Sequence, residues 1–406
     1  MRANLAATRC RGGVAAPHPG ESGAGSRRGR RPPCNDLMNR SAPPPERRSA
    51  LGYSRSWRVP SRRRESGGVP RLKARATVKA TRHGSLGALP EAGSPGDTGP
   101  VVAHTLRRSL GDSAQSLFPL LLDAAVLGRR GHDAGPELLE RFAAWGGNGV
   151  LVTDTAASAA GEETVGRWLA GHRDRDRFLL LGRLGPTADA SPSPRALVAR
   201  VDQSLRRLRT DHLDVLAVRP DSAGRLDELL SAVEVLLARG KVRAVLASGF
   251  AAEELFEARV LAGHGLPRFS GVELRYSLLE GSDAEGDLGL VARGQGLSVV
   301  ATAPLAHGFL HGAARSRREL RALPDGALAS VHLGRRGRRV LAALDAIGAE
   351  LSATTAAVAL AWLLARPGVA AATVEPASCA EIDTLVRAVS LELDAAHLHA
   401  LERARR

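Results

Sequence analysis

From about residue 115 onward, short apolar runs alternate with stretches in which apolar residues return every three or four positions. The runs are Leu117–Leu122, Val150–Thr153, Phe178–Leu181, Leu213–Val218, Val242–Ala247, Gly271–Leu274, Leu297–Ala301 and Val369–Val374. They are short for helices and read as strands. Between them the periodicity predicts helices over Pro136–Trp145, Glu162–Leu169, Arg195–Leu208, Arg225–Ala238, Ala252–Leu261, Leu288–Arg293, Arg338–Leu351, Thr355–Ala365 and Cys379–Val389. Arg195–Leu208 carries apolar residues at 197, 198, 201, 205 and 208, one face of a helix. Pro136 stands in a first turn, where its missing N–H costs nothing. Eight strands alternating with helices over about 300 residues predict an α/β fold, a (β/α)8 TIM barrel, over a shorter doubly wound sheet. Periodicity alone does not separate the two; motifs do.

No such pattern persists in residues 1–100, which are rich in Arg, Pro, Gly and Ser. A segment of this kind buries too little apolar surface to offset its ordering entropy and is expected to be disordered. The expected organisation is a basic extension over 1–103 and a barrel over 104–406. Charge divides the same way: residues 1–100 hold 20 Lys/Arg and 6 Asp/Glu, out of 57 and 42 in the whole chain, so the remainder balances at 37 against 36. The extension reads either as an arm for nucleic acid or an acidic partner, or as a solvated tail, one origin of which is a start codon assigned too far upstream. The tail is favoured, because no RNA-binding motif and few aromatics accompany the arginines, so nucleic acid is not an expected partner.

The three cysteines, Cys10, Cys34 and Cys379, imply no disulfide framework and fit a reducing, cytoplasmic setting. No apolar run approaches the ~20 residues needed to span a bilayer, and the first twenty residues lack the apolar centre of a secretory signal, so no membrane is expected.

Six stretches, in order, resemble the aldo-keto reductase superfamily over about residues 106–405. The most specific is Ser204-Leu205-Arg206-Arg207-Leu208-Arg209-Thr210-Asp211-His212-Leu213-Asp214. With it come Gly146-Gly147-Asn148 leading to Asp154-Thr155-Ala156, then Glu162–Leu169 and Lys241–Phe250, and finally Arg275–Glu280 and Pro304–Gly312.

The resemblance implies a barrel in which NADPH delivers hydride to a carbonyl. A tyrosine would donate the proton, tuned by a lysine paired with an aspartate, and a histidine would orient the substrate; such groups sit at the C-terminal ends of barrel strands. Carried across residue by residue, only the aspartate survives, as Asp154. The tyrosine position holds Ala159, the lysine position Arg183 and the histidine position Arg219. Composition excludes an alignment slip: Lys241 is the one lysine after residue 79 and precedes the fifth strand, at the wrong end, and Tyr276 is the one tyrosine after residue 53. Arginine keeps the charge, but its pKa above 12 makes it a poor proton shuttle.

By resemblance alone, Ser248, Tyr276 and Leu305 fall on cofactor-binding positions, Tyr276 either stacking on nicotinamide or packing as a barrel-top aromatic. The glycine-threonine pair after the first strand is Asp123-Ala124. The run that holds the NADPH 2′-phosphate has become Glu375–Leu385, with an acid and Pro376 where backbone N–H groups should meet the anion. Weak or absent NADP(H) binding is expected.

Asp154 is expected to pair with Arg183 as a structural ion pair. His307 and His311 fall in a glycine-containing loop and are not read as metal ligands; no metal is expected. Cys379 reads as an ordinary thiol, and His397 and His399 as solvated. The function expected is a barrel that binds a small molecule or a protein partner without its relatives' catalysis. The alternative is a divergent NADP(H)-dependent oxidoreductase with another proton donor, water held by Asp154, Arg183 and Arg219.

Overall fold

The computed structural model describes residues 106–129, 134–153, 156–172, 174–184, 194–220 and 225–406. Two short strands, β1 (Arg108–Ser109) and β2 (Ser116–Leu117), form an antiparallel hairpin. Eight more follow: β3 (Leu120–Asp123), β4 (Gly149–Thr153), β5 (Leu179–Leu184), β6 (Leu213–Val218), β7 (Val242–Ser248), β8 (Gly271–Arg275), β9 (Ser298–Thr302) and β10 (Val369–Val374). All eight pair in parallel and in chain order, and β10 returns to β3 to close the barrel. The (β/α)8 fold read from the sequence is the fold observed.

The pleat divides the core in two. Leu121, Leu151, Leu181, Val215, Ala217, Leu246 and Val300 pack together inside the barrel. Their neighbours Leu120, Leu122, Val150, Leu180, Leu216 and Val245 face the surrounding helices. Buried on both faces, each strand reads as a continuous apolar run.

The hairpin sits at the N-terminal end of the strands. The Arg108 guanidinium donates to the carbonyls of Leu364 and Val369, at 2.9 and 2.7 Å. Gly111 turns the hairpin at φ +57°, and a Cβ there would lie 2.0 Å from the Ser270 carbonyl oxygen, so neither the angle nor the space suits another residue.

Three expectations need correction. The run Leu117–Leu122 is not one strand: Pro119 has no N–H for a ladder, and the chain pairs with β1 before it and with β4 and β10 after it. The helix expected over Glu162–Leu169 spans Ala156–Ala170, because its first turn is alanine-rich and shows no apolar period. His397 is buried, not solvated: its backbone N–H is capped by Asp394 at 2.8 Å and its ring lies 3.2 Å from Glu350. The stretch after β9 carries two short helices, Arg317–Arg321 and Gly326–Ser330, before the long helix Arg335–Leu351.

Candidate functional site

Strand alternation alone positions the side chains at the mouth. Residues i and i+2 face the same side, so stepping on from the inner apolar layer leads to Asp123, Arg183 and Ser248 at the C-terminal strand ends. The register Ser248↔Glu273 sets Glu273 beside them on β8. Barrels of this type build their sites at this end.

An ion pair crosses the interior there. Arg183 on β5 donates from Nε and Nη2 to the Glu273 carboxylate at 2.9 and 3.0 Å, although two strands separate them in the barrel order. The side chains are 24% and 2% exposed. Burial alone would lower the Arg183 pKa, but the Glu273 carboxylate, joined by the charges of Asp123 and Glu375, outweighs it and holds the guanidinium above its ordinary value. A planar fork meeting a carboxylate in this way is tightly oriented. Sequence reading missed Glu273. Its signal was an acid between Val272 and Leu274 in a buried strand, where a carboxylate demands a partner.

Asp123, at the end of β3, is 8% exposed. Burial pushes its carboxyl up from 3.8 to about 6; the Ala125 amide, which donates to it at 2.9 Å, opposes the rise, Glu375 adds to it, and Arg183 and Arg129 oppose it more weakly. Because the native pKa exceeds the unfolded one, the native protein holds a proton between pH 3.8 and 6 that the unfolded chain releases, and stability falls as pH rises through that window. Asp123→Asn, which keeps the acceptor for Ala125, is therefore expected to stabilise by about 2–3 kcal/mol at pH 8 and to be nearly neutral near pH 4. Urea denaturation at the two pH values checks this; a gain at pH 4 equal to that at pH 8 contradicts it.

Along the Glu375–Leu385 run, which by resemblance alone falls on a cofactor-phosphate position, the local groups satisfy one another. Glu375 meets Arg129 at 2.5 Å, and Pro376 offers no N–H. The Ala377 N–H donates to Glu381 at 2.6 Å, the Glu381 N–H to the Ser378 hydroxyl at 3.2 Å, and His311 lies 3.4 Å from the same carboxylate. The start of helix Cys379–Val386 is thus closed by its own acid.

The remaining sequence-derived positions scatter. Asp154 lies outside the described residues, and with it the pairing expected for Arg183. Ala159 is half-buried in helix Ala156–Ala170. Arg219 is exposed and lies over Gly249, its Nε 3.3 Å from where a Cβ would stand. Ser248 is buried. Tyr276 is buried edge-on against Trp362, ring centres 5.8 Å apart, and its hydroxyl donates to Glu285 at 3.0 Å. Burial first, then the Glu285 charge, pushes that phenol up to about 12. Leu305 is buried in a loop where Ala303, Ala306 and His307 all take left-handed backbone conformations, with φ of 50°, 49° and 57°. Strain so concentrated persists only where the surroundings impose it. His307 faces Asp325 and His311 faces Glu381, so the two histidines do not converge. Burial pushes the Cys379 thiol up, which suits an ordinary cysteine.

Comparison with known proteins agrees with this architecture. The model of the aldo/keto reductase family matches residues 135–406. An uncharacterized oxidoreductase of Bacillus subtilis, YrpG, is 32% identical over 269 residues, covering 61% of this chain and 80% of that protein. An aryl-alcohol dehydrogenase of Pestalotiopsis microspora is 25% identical over 279 residues, covering 66% and 71%. The norsolorinic acid reductase of Emericella nidulans is 25% identical over 286 residues, covering 65% and 70%.

Proposed function

The chain belongs to the aldo/keto reductase family, and from that footing we propose that its barrel has given up NADPH-dependent carbonyl reduction and serves as a binding domain for a small molecule or a protein partner. The observation that carries this reading is the Arg183–Glu273 pair. A group that should tune a proton donor is held by a carboxylate across the barrel, and the donor's own position is Ala159. Tyr276, the one tyrosine of the barrel, supports it: with a pKa of about 12 it holds its proton too tightly to deliver it near neutral pH. The phosphate end supports it too, since the residues there do not fit a nucleotide. The backbone donor at Ala377 is already given to Glu381, Arg129 is engaged by Glu375, and Pro376 offers no N–H. The left-handed residues Ala303, Ala306 and His307 gather in the loop after β9, at the strand ends where barrels bind ligands, which supports a retained binding mouth.

The test is a titration of the full-length protein with NADPH followed by cofactor fluorescence. No change is expected up to about millimolar cofactor, whereas binding near about micromolar, roughly 4 kcal/mol tighter, would refute the reading.

One observation favours a second reading, a divergent oxidoreductase. Asp123 keeps its proton up to about pH 6 at the barrel mouth, where a general acid would be needed. Reductase activity above background in the wild type, lost in Asp123→Asn at unchanged fold, would establish this second reading and displace the first.

A further inference from the structure

One stretch of the barrel concentrates charge out of proportion to the rest. Residues 101–406 are nearly balanced, yet residues 315–339 hold eight arginines against Glu319 and Asp325. Two of the eight are engaged. Arg315 grips Asp345 at 2.8 and 3.0 Å, and Arg336 donates to the carbonyls of Leu279, at 3.2 Å, and Arg405. The other six are exposed and make no ion pair among the described residues.

They fall at exposed positions on two helices of one stretch of chain. Arg317, Arg318 and Arg321 flank Leu320, the buried residue of their short helix. Arg335, Arg338 and Arg339 share one face of helix Arg335–Leu351, opposite the buried Val340, Leu341 and Leu344. The Arg315–Asp345 pair, at 2.8 and 3.0 Å, ties the start of the stretch to the long helix. Because the stretch follows the C-terminal end of β9 and precedes a returning helix, this surface lies at the barrel mouth.

Leu328, 48% exposed, and Val331, 74% exposed, stand between the two arginine groups, and Val331 is the most exposed large apolar side chain among the described residues. Arginine alone would suit any polyanion, so the aliphatics decide. Single-stranded nucleic acid is gripped by stacking on aromatic rings, and residues 315–339 contain no Phe, Tyr or Trp. A lipid surface rewards both features: anionic headgroups attract the guanidiniums, and exposed aliphatics enter the boundary between headgroups and acyl chains.

We propose that this surface rests on an anionic lipid bilayer, with Leu328 and Val331 inserted at its boundary and the barrel mouth set near the membrane plane. Such contact is peripheral. No single helix among the described residues is long and apolar enough to cross a membrane, and the missing apolar run that argued against a membrane bears only on spanning. The proposal goes beyond the binding-domain reading and does not depend on whether the mouth keeps its cofactor.

Vesicle co-sedimentation of the full-length protein tests it, using phosphatidylcholine alone and phosphatidylcholine with about 30% phosphatidylserine. Wild type is expected to sediment with the second and not the first. The fourfold reversal Arg317→Glu, Arg318→Glu, Arg338→Glu and Arg339→Glu is expected to weaken partitioning by at least about 10-fold. The pair Leu328→Ser and Val331→Ser, at unchanged charge, is expected to weaken it by about 3- to 10-fold, and four Arg→Lys changes are expected to preserve it. The N-terminal segment is present in every variant, so the differences report the barrel surface alone. If the charge reversal fails to fold, the serine pair and the lysine set still decide. The proposal is overturned if wild type ignores phosphatidylserine or if all variants sediment alike. It is also overturned if the serine pair binds vesicles normally while the reversal abolishes binding to duplex DNA.

Discussion

Replacing Glu273 by alanine is expected to destabilise the protein by about 3–5 kcal/mol, because it strands the Arg183 guanidinium inside the barrel without its counter-charge. The magnitude comes from desolvation more than from attraction. A buried pair roughly balances its solvation cost against its Coulomb energy, so losing both members is far milder than losing one. Arg183→Met combined with Glu273→Met should therefore lie within about 1 kcal/mol of wild type, or above it. Glu273→Gln, which keeps an acceptor for the guanidinium but drops the charge, belongs between these limits. Urea midpoints at unchanged m-value read all three. If Glu273→Ala loses less than about 1 kcal/mol, Arg183 has found another carboxylate, with Asp123 and Glu375 the acids nearest in influence. The mouth would then be an adaptable charge cluster, with Arg183 free to serve chemistry.

The barrel itself was legible because each of its parts is local. Seven of the apolar runs became the expected strands with ends shifted by at most three residues. The first did not, because a single proline interrupts a run that hydropathy alone cannot divide. The mouth was legible only by position. Arg183 and Arg219 were placed at strand ends through the resemblance, and the alternation of buried residues puts Arg183 and Ser248 on the inner face. What the sequence could not supply was who meets whom. Arg183 and Glu273 are 90 residues apart, and no period, motif or spacing links them. The closure of the phosphate end by Glu381 was equally hidden, since an acid three residues after Ser378 reads as an ordinary capping pattern. By resemblance this run departs from the family's pattern at Glu375 and Pro376; the structure adds that the Ala377 backbone donor is already taken by Glu381.

The stretch of closest family resemblance, Ser204–Asp214, makes a different prediction, because its last residue works at the opposite end of the barrel from the mouth. Asp214 is 3% exposed at the start of β6, and its carboxylate accepts from the Leu180 backbone N–H at 2.8 Å, from Arg175 at 2.9 Å and from Arg243 at 3.2 Å. One side chain thus joins β6 to β5, to the turn before β5 and to the start of β7. Asp214→Ala should destabilise the protein by about 3–5 kcal/mol, since it leaves a buried strand N–H unpaired and removes the counter-charge of Arg175, which is one-fifth exposed. Asp214→Asn, able to keep the Leu180 bond, should cost about 1–2 kcal/mol. Both are measurable as urea midpoints, and a change below about 1 kcal/mol for alanine would mean that the Phe178 and His212 carbonyls, which Arg175 also reaches, hold the base by themselves. Conserved-looking chemistry at the N-terminal end of barrel strands serves stability, whereas chemistry at the C-terminal end serves ligands. Ser204–Asp214, the stretch most specific in its resemblance to the family, therefore fastens the base of the barrel, and its resemblance speaks for the fold rather than for the chemistry of the mouth.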